Sequence, residues 1–320
     1  MTSHILLTGA GFTRNWGAWL AKELEGDLLG RLAPHPNLQR LIQNSSNFEE
    51  ALETARSGGV PITRDQVETL EAAIKASFDA MNCALAGRKS LEFATESRSV
   101  AGFLALFDSI FTLNQDLLLE FHYSAAGFSS SDWMGSYYPG LEPACVPNTY
   151  PAENYRHLKR QVGPSLVSDP KLQPIYKLHG SVDWSDDSGN LFVVGGGKEL
   201  YIQSKPLLVQ YFRILREQLQ KPDTRLMVIG YGWGDDHVNR LIFDAAKTNA
   251  SLGIFHVHPE GRDAIYRGRN EPIASYPAPT LANLKCIGES RRLLSSTFAG
   301  DELEHNKLIR FFAQHSEWKG

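Results

Sequence analysis

The stretch ILLTGAGFT, at residues 5–13, decides the class of fold. Four consecutive apolar or β-branched residues end at Gly9, and small residues then lead into a segment with helical spacing. An apolar run of this length is typical of a central strand in a parallel sheet that is covered on both faces. A glycine turn between such a strand and a helix lets a phosphate group approach the backbone, although many α/β turns use glycine only to reverse the chain.

Further apolar runs end in the same way, at small or polar residues. They cover residues 110–113, 175–178, 226–229 and 254–257, and helical spacing occurs between them at residues 15–24, 207–219 and 235–247. This alternation predicts an α/β fold with a doubly wound, Rossmann-like parallel sheet. Because ligands of such sheets bind outside the carboxyl ends of the strands, the residues after each run are the candidate site.

The pattern predicts one domain over residues 1–320 with two additions. Residues 38–105 lack a strand-like run and have helical spacing, which predicts an inserted, smaller helical lobe at 30–107. Residues 262–320 predict a C-terminal extension with an edge strand at 284–287 and an amphipathic helix at 302–315. Residues 192–194 and 200–202, joined by three glycines, predict a hairpin.

Composition excludes several classes of protein. The 320 residues are 42% apolar and 21% charged, which is ordinary for a globular chain, and the net charge of −4 gives no footprint for nucleic acid. The sequence shows neither a signal peptide nor a membrane span, so we expect a cytoplasmic protein. Three scattered cysteines (Cys83, Cys145 and Cys286) favour neither a disulfide framework nor a zinc module, and we expect no bound metal.

Two candidate motifs follow the first two predicted strands. The first is the turn itself, with the candidate ligand contacts Gly9, Ala10, Gly11, Phe12 and Thr13. The second is Thr112-Leu113-Asn114-Gln115-Asp116, in which an amide and a carboxylate at a strand end can point into one cleft and hold hydroxyl groups and a water. An Asx turn or a helix cap is the alternative for the second motif.

Two more motifs follow later strands. His179 ends an apolar run and precedes glycine, so it is a candidate base that titrates near neutral pH, or else a satisfied structural histidine. Residues 230–239, GYGWGDDHVN, combine glycines that admit a ligand with polar groups that reach it. The acids there would also stabilise a helix start without any ligand. The candidate contacts in this motif are Gly230, Tyr231, Gly232, Asp235 and Asn239.

Taken in order, the four motifs resemble the sirtuin superfamily, and within it the bacterial sirtuin-like proteins of anti-phage defence. The resemblance covers about residues 4–260 and leaves unmatched the helical lobe and the segment at 122–174, which is rich in Pro, Tyr, Ser and Gly. It implies that NAD binds as a substrate, with Asn114 and His179 acting at its ribose. It also implies that residues 9–13 hold the diphosphate and that Asp116 supports the site; Thr112 and residues 230–239 complete the expected NAD contacts.

Two departures from the family pattern narrow the expected activity. Protein-deacylating sirtuins carry a four-cysteine zinc module, for which this chain has too few cysteines, and Gly17-Ala18-Trp19-Leu20 lacks their Gly-x-Pro and arginine. The resemblance therefore implies an NAD hydrolase that uses water as the nucleophile and releases nicotinamide and ADP-ribose, with NAD depletion as its role in defence.

Other functions stay open at this stage. The chain could be a sensor that binds NAD or ADP-ribose without turnover, or a zinc-less deacylase or ADP-ribosyltransferase. A dinucleotide oxidoreductase is disfavoured because GxGxxG is absent. We expect a homo-oligomer, for which the C-terminal amphipathic helix is a candidate contact unless it packs on the core. We also expect a separate partner protein, such as a defence ATPase or sensor, because the sequence shows no DNA-handling or sensor domain.

Overall fold

The computed structural model of the protein describes residues 2–58, 61–93, 98–124, 133–142, 160–163, 166, 169–267 and 284–313. Its centre is a seven-stranded, all-parallel sheet in the order β10-β9-β8-β1-β2-β5-β3. Its strands are β1 (Ser3–Thr8), β2 (Ser109–Thr112), β3 (Ser136–Tyr137), β5 (Gln173–Lys177), β8 (Thr224–Ile229), β9 (Gly253–Val257) and β10 (Lys285–Ser290).

The apolar runs of the sequence form the middle of this sheet. Every residue of β2, β8 and β9 is buried, as is the second half of β1, so these strands are covered on both faces. A second sheet contains β4 (Arg160–Gln161), β6 (Gly180–Asp186) and β7 (Gly189–Phe192), with β6 and β7 antiparallel. The predicted doubly wound, Rossmann-like α/β fold is confirmed.

Helices connect the strands. Between β1 and β2 lie α1 (Ala10–Thr13), α2 (Ala21–Arg31), α3 (Pro36–Asn44), α4 (Phe48–Ser57), α5 (Arg64–Ala86) and α6 (Val100–Leu104). The later helices are α7 (Lys198–Gln203), α8 (Pro206–Leu219), α9 (Asp236–Thr248), α10 (Ala264–Arg267), α11 (Leu294–Ala299) and α12 (Glu302–Ile309). Short 3₁₀ turns occupy Arg14–Trp16, Gly261–Asp263 and Arg310–Phe312, and a π-helical turn occupies Glu120–Ser124.

Helix α5 shows how local sequence fixes an element between β1 and β2. Thr63 accepts a hydrogen bond from the backbone N–H of Gln66, and the side chain of Gln66 accepts one from the N–H of Thr63, which forms a capping box. One face of α5 then buries Leu70, Ile74 and Met81. This face belongs to the same hydrophobic cluster as the sheet, so α5 packs on the core.

Three predicted elements differ from the structure. The helix predicted at 15–24 is broken because Gly17 adopts a left-handed φ of 92°, and α2 starts at Ala21. The hairpin predicted at 192–202 is wrong: β7 ends at Phe192 and pairs with β6, while residues 198–203 form α7. The C-terminal helix ends at Ile309 and continues as a 3₁₀ turn, and residues 314 and 315 lie outside the described residues.

The order of strands places a topological switch between β1 and β8. The chain leaves β1 toward β2 on one side, and returns as β8 on the other. In open α/β sheets a crevice forms at such a point, outside the carboxyl ends of the strands.

Among the described residues, no helix is long and apolar enough to cross a membrane.

The turns after β1 and β8 touch backbone to backbone at this point. The N–H of Gly11 donates to the carbonyl of Gly230 over 2.9 Å, and the N–H of Gly9 donates to Ile229 over 3.0 Å. Gly230 has a φ of +65°, and a Cβ on it would lie 2.2 Å from the backbone nitrogen of Phe12. The contact therefore depends on the absence of a side chain at position 230.

We predict that Gly230→Ala lowers the free energy of unfolding by about 2–5 kcal/mol, because left-handed strain adds to a backbone collision. Urea unfolding followed by circular dichroism measures this. Gly232→Ala is the matched control in the same loop, since a Cβ there would have no heavy atom within 4 Å. Equal losses of stability in the two variants would contradict the assigned role of the contact.

Candidate functional site

A cavity of about 620 Å³ lies at the topological switch. Its wall is built from the turn after β1, the end of β2, the residue that follows Leu178 after β5, and the loops after β8 and β9. The start of α2, the start of α4 and residues 292–294 close its other sides. Its volume is that of a typical small-molecule site, and its position is the one where α/β sheets bind ligands.

The glycine turn presents few free backbone donors to this cavity. The N–H groups of Gly9, Gly11 and Phe12 donate to Ile229, Gly230 and Gly9 respectively. Ala10 is exposed on the cavity wall. The main contribution of the turn is therefore that its small residues let a ligand come close to the backbone. Positive charge on this wall comes from Arg14, which follows the turn and is paired with Glu23.

Asn114 is held rigidly where β2 ends. Its Nδ2 donates to the carbonyl oxygen of Gly9 over 3.0 Å and to the Oγ1 of Thr13 over 2.6 Å. A carbonyl oxygen can only accept, so the amide nitrogen must face the turn. Both of its N–H groups are thereby used, and the Oδ1 of Asn114 remains as an acceptor on a side chain that lines the cavity.

Behind Asn114, a buried polar network ties β2 to β5. The Nζ of Lys177 donates to the carbonyl oxygen of Asp116, to Glu120 and to Ser181, over 2.6–2.8 Å. Burial raises the pKa of Asp116, against the opposing effects of Lys177 and of hydrogen bonds from Leu118 and Thr13. The same Thr13 hydroxyl thus contacts both predicted side chains of the second motif, Asn114 and Asp116.

His179 lies across the cavity on the other side of the switch. The side chain is buried, and burial lowers its pKa to about 3, with Asp235 opposing this shift and Lys198 adding to it. The ring is therefore neutral over the whole physiological range, whereas sequence alone favoured titration near neutral pH. Its Nε2 lies 3.0 Å from the Nε2 of His237.

The loop after β8 carries the fourth motif. Tyr231 lines the cavity, and its hydroxyl donates to the Oδ1 of Asn239, whose Nδ2 in turn donates to the carbonyl of Trp233. Trp233 is buried and adopts a φ of 58°, so these bonds secure a left-handed turn. Asn239 thereby supports the loop from inside the core rather than from the cavity wall.

Three charged side chains, Glu49, Lys198 and Asp235, line the cavity near His179. The Nζ of Lys198 lies 3.0 Å from an oxygen of Asp235 and 2.8 Å from an oxygen of Glu49. Burial opposes the charge of Asp235, but His179 and Lys198 outweigh it and lower the pKa of this carboxyl group. Burial raises the pKa of Glu49 despite the nearby Lys198. Asp235 is therefore the stronger acid of the two.

The structure brings most of the predicted site residues together around one cavity. Those on its wall are Gly9, Ala10, Gly11, Asn114, Asp116, His179, Gly230, Tyr231, Gly232 and Asp235. The remaining four lie buried behind the wall and are Phe12, Thr13, Thr112 and Asn239. Thr112 stays close by, since its Oγ1 accepts from the N–H of Asn114 over 3.0 Å.

Sequence analysis missed several polar residues of the cavity. Glu49 and Lys198 come from α4 and α7, which lie far from the strand ends along the chain. Arg292 and His258 reach the cavity from the segments after β10 and β9. Arg14 had a usable signal, because a basic residue directly follows the glycine turn; the others lack a local motif.

Comparison with known proteins agrees with the geometry. The family model for the SIR2-like domain matches residues 108–272, which is just over half of the chain. The matched part contains Asn114, His179 and the loop after β8, while the turn at 9–13 precedes it. No curated protein matches the chain. The chain therefore belongs to the family of SIR2-like domains, whose members bind NAD.

Proposed function

We propose that this chain is an NAD hydrolase, which adds water across the nicotinamide–ribose bond and releases nicotinamide, ADP-ribose and a proton. The observation that carries the proposal is that Asn114 and His179 line the same cavity, and that each offers an acceptor atom on an uncharged side chain. Nicotinamide leaves as a neutral base, so the reaction needs a placed nucleophile more than an acid.

Asn114 orients the water in this proposal. Both N–H groups of its amide are bound to the turn after β1, so the Oδ1 cannot rotate away from the cavity. A fixed acceptor holds a water by one of its protons and leaves the water oxygen free to attack. The same acceptor can instead take a ribose hydroxyl, which would orient the sugar.

His179 accepts the proton that the water or a ribose hydroxyl loses. The imidazole is neutral, which is the form that a base requires. Burial lowers the pKa of the ring and disfavours the protonated form, and the Asp235 carboxylate is the charge that partly offsets this and would stabilise the imidazolium. The proton then leaves for solvent through the open side of the cavity.

Binding of the substrate diphosphate is proposed at the turn of residues 9–13. Gly9, Ala10 and Gly11 line the cavity there, and Arg14 and Arg292 are cationic side chains on the same cavity. Tyr231, Gly230, Gly232 and Asp235 provide the opposite wall, where the nucleoside parts would lie. Metal plays no part in the proposed reaction.

A sensor that binds NAD without turnover is the second candidate. The observation that favours it is the contact of His179 with His237, which occupies the nitrogen that would accept the proton. A zinc-less deacylase or ADP-ribosyltransferase has no comparable support among the described residues. Nicotinamide release from purified protein separates a hydrolase from a sensor.

The biological setting is a further part of the proposal. The order of the motifs supports a role in anti-phage defence by NAD depletion, in the cytoplasm, as a homo-oligomer that works with a separate partner protein. The helices from α2 to α6 support a lobe at 30–107 inserted into one domain, and α11 and α12 lie in the extension at 262–320.

We predict that Asn114→Ala abolishes nicotinamide release while unfolding free energy falls by about 1 kcal/mol, since the residue is only part-buried. Chromatography of the products and a thermal melt measure the two effects. Asn15→Ala is the matched control: its Nδ2 also binds the turn, at Gly11 and Phe12, but its Oδ1 already accepts from Ser295. An active, folded Asn114→Ala protein would refute the mechanism.

We predict that His179→Gln lowers the rate of hydrolysis by at least about a hundredfold, the usual effect of losing a general base. NAD affinity should change much less, because the turn at 9–13 lies apart from His179. Calorimetry of NAD binding and nicotinamide release on one preparation test this. His258→Gln, which alters a histidine elsewhere on the cavity, is the control. If binding and turnover fall equally, His179 only shapes the pocket.

A further inference from the structure

Three metal-ligating side chains converge beside the cavity. Ligand atoms of His179, Asp235 and His237 all lie within 4.8 Å of one another. They come from the segment after β5 and from the start of α9, so the fold rather than a local motif assembles them. His179 and Asp235 also line the cavity, which gives an ion from solvent a path to the cluster.

We propose that this cluster is a binding site for a borderline divalent transition-metal ion, of which Zn²⁺ is the type. Two imidazoles and one carboxylate suit Zn²⁺, Co²⁺, Ni²⁺ or Cu²⁺, whereas Mg²⁺ and Ca²⁺ prefer oxygen ligands throughout. Three protein ligands leave a fourth position open toward the cavity, which a water can fill.

The two imidazoles are already close to the spacing that a metal needs. Their Nε2 atoms lie 3.0 Å apart. Two nitrogens bound to one tetrahedral ion, each at about 2.05 Å, lie about 3.3 Å apart. The rings therefore have to separate by a few tenths of an ångström, as the metal replaces the proton that the two nitrogens share.

The hydrogen-bond partners of His179 favour the required tautomer. Its ring makes a hydrogen bond with the backbone of Leu113, while Nε2 faces His237. Because Nε2 faces His237, we assign the Leu113 bond to Nδ1 with the ring proton there, which is the arrangement that orients metal-ligating histidines. The Nε2 lone pair of His179 then points into the cluster. His237 becomes a ligand by moving its own ring proton to Nδ1.

Lys198 is the competitor for this site. Its ammonium pairs with Asp235 over 3.0 Å, and an ion must displace it from that carboxylate. Glu49, 2.8 Å from the same Nζ, provides a second anionic partner that can keep Lys198 when Asp235 turns to the metal. The two carboxylates thus outnumber the one ammonium, and the site keeps a net attraction for a cation.

Occupation of the site has a consequence that rests on the proposed hydrolase function. A metal on the Nε2 of His179 removes the lone pair that accepts the proton. The ion therefore acts as an inhibitor of NAD hydrolysis. Its site differs from the structural zinc module of protein-deacylating sirtuins, for which this chain has too few cysteines.

The test uses Co²⁺ as a spectroscopic probe on the full chain without an affinity tag. Co²⁺ bound to two histidines and a carboxylate with one water gives visible d–d absorption, and titration with Zn²⁺ should abolish it. Asp235→Asn and His237→Gln should each weaken Co²⁺ binding by at least about a hundredfold, since even indirect partners of a ligand cost 10- to 100-fold. His258→Gln should bind as the unaltered chain does.

Circular dichroism of each variant distinguishes a loss of Co²⁺ binding from a loss of folded structure. If His237→Gln unfolds, the near-isosteric Asp235→Asn still tests the site. Absence of the absorption from the unaltered chain, or its persistence in folded Asp235→Asn and His237→Gln, would overturn the site. Nicotinamide release with and without Zn²⁺ is measured separately. A chain that binds Co²⁺ at these residues but never hydrolyses NAD supports the metal site and contradicts the hydrolase proposal alone.

Discussion

The backbone contact between the turns after β1 and β8 is the constraint on which the site depends. The carbonyl of Gly230 accepts from Gly11 at 2.9 Å, and neither turn has room for a Cβ at Gly9, Gly11 or Gly230. The strands β1 and β8 pair along their length, and this contact holds the turns that follow them against each other at the topological switch. The glycines of this contact line the cavity, and Asn114 is bound to one of the two turns.

Asn114 and His179 are positioned by two different sets of hydrogen bonds. Asn114 is bound directly to the β1 turn through its amide nitrogen, so any shift of the turn moves its carbonyl oxygen. His179 follows Leu178, whose backbone N–H donates to Thr112, and nearby Lys177 binds Asp116 and Glu120. A buried ammonium with three hydrogen-bonded partners resists displacement, because breaking any one of them leaves a buried charge unsatisfied. The network therefore fixes the distance between β2 and β5 at the site.

The charges around His179 bear on both of the proposed chemistries. The neutral imidazole beside the Asp235 carboxylate can accept a proton, and the same pair with His237 offers three ligands to a cation. Both depend on one lone pair, so base catalysis and metal binding exclude each other. Lys198, shared between Asp235 and Glu49, sets the balance, because its charge disfavours a cation in the cluster and disfavours protonation of His179.

The sequence by itself determined the central sheet and ten of the cavity residues. Apolar runs separated by helical segments are typical of a parallel sheet covered on both faces, and the residues that end such strands meet at one edge. Tertiary structure decided what no local pattern carries. Gly17 broke a predicted helix, and the glycines at 195–197 led into α7 instead of a hairpin. Burial shifted His179 away from neutral titration and enclosed Asn239, while the convergence of β5, α7 and α9 placed Lys198 and His237 near His179. Desolvation and contacts between distant segments exist only after folding, so they have no signature in the order of residues.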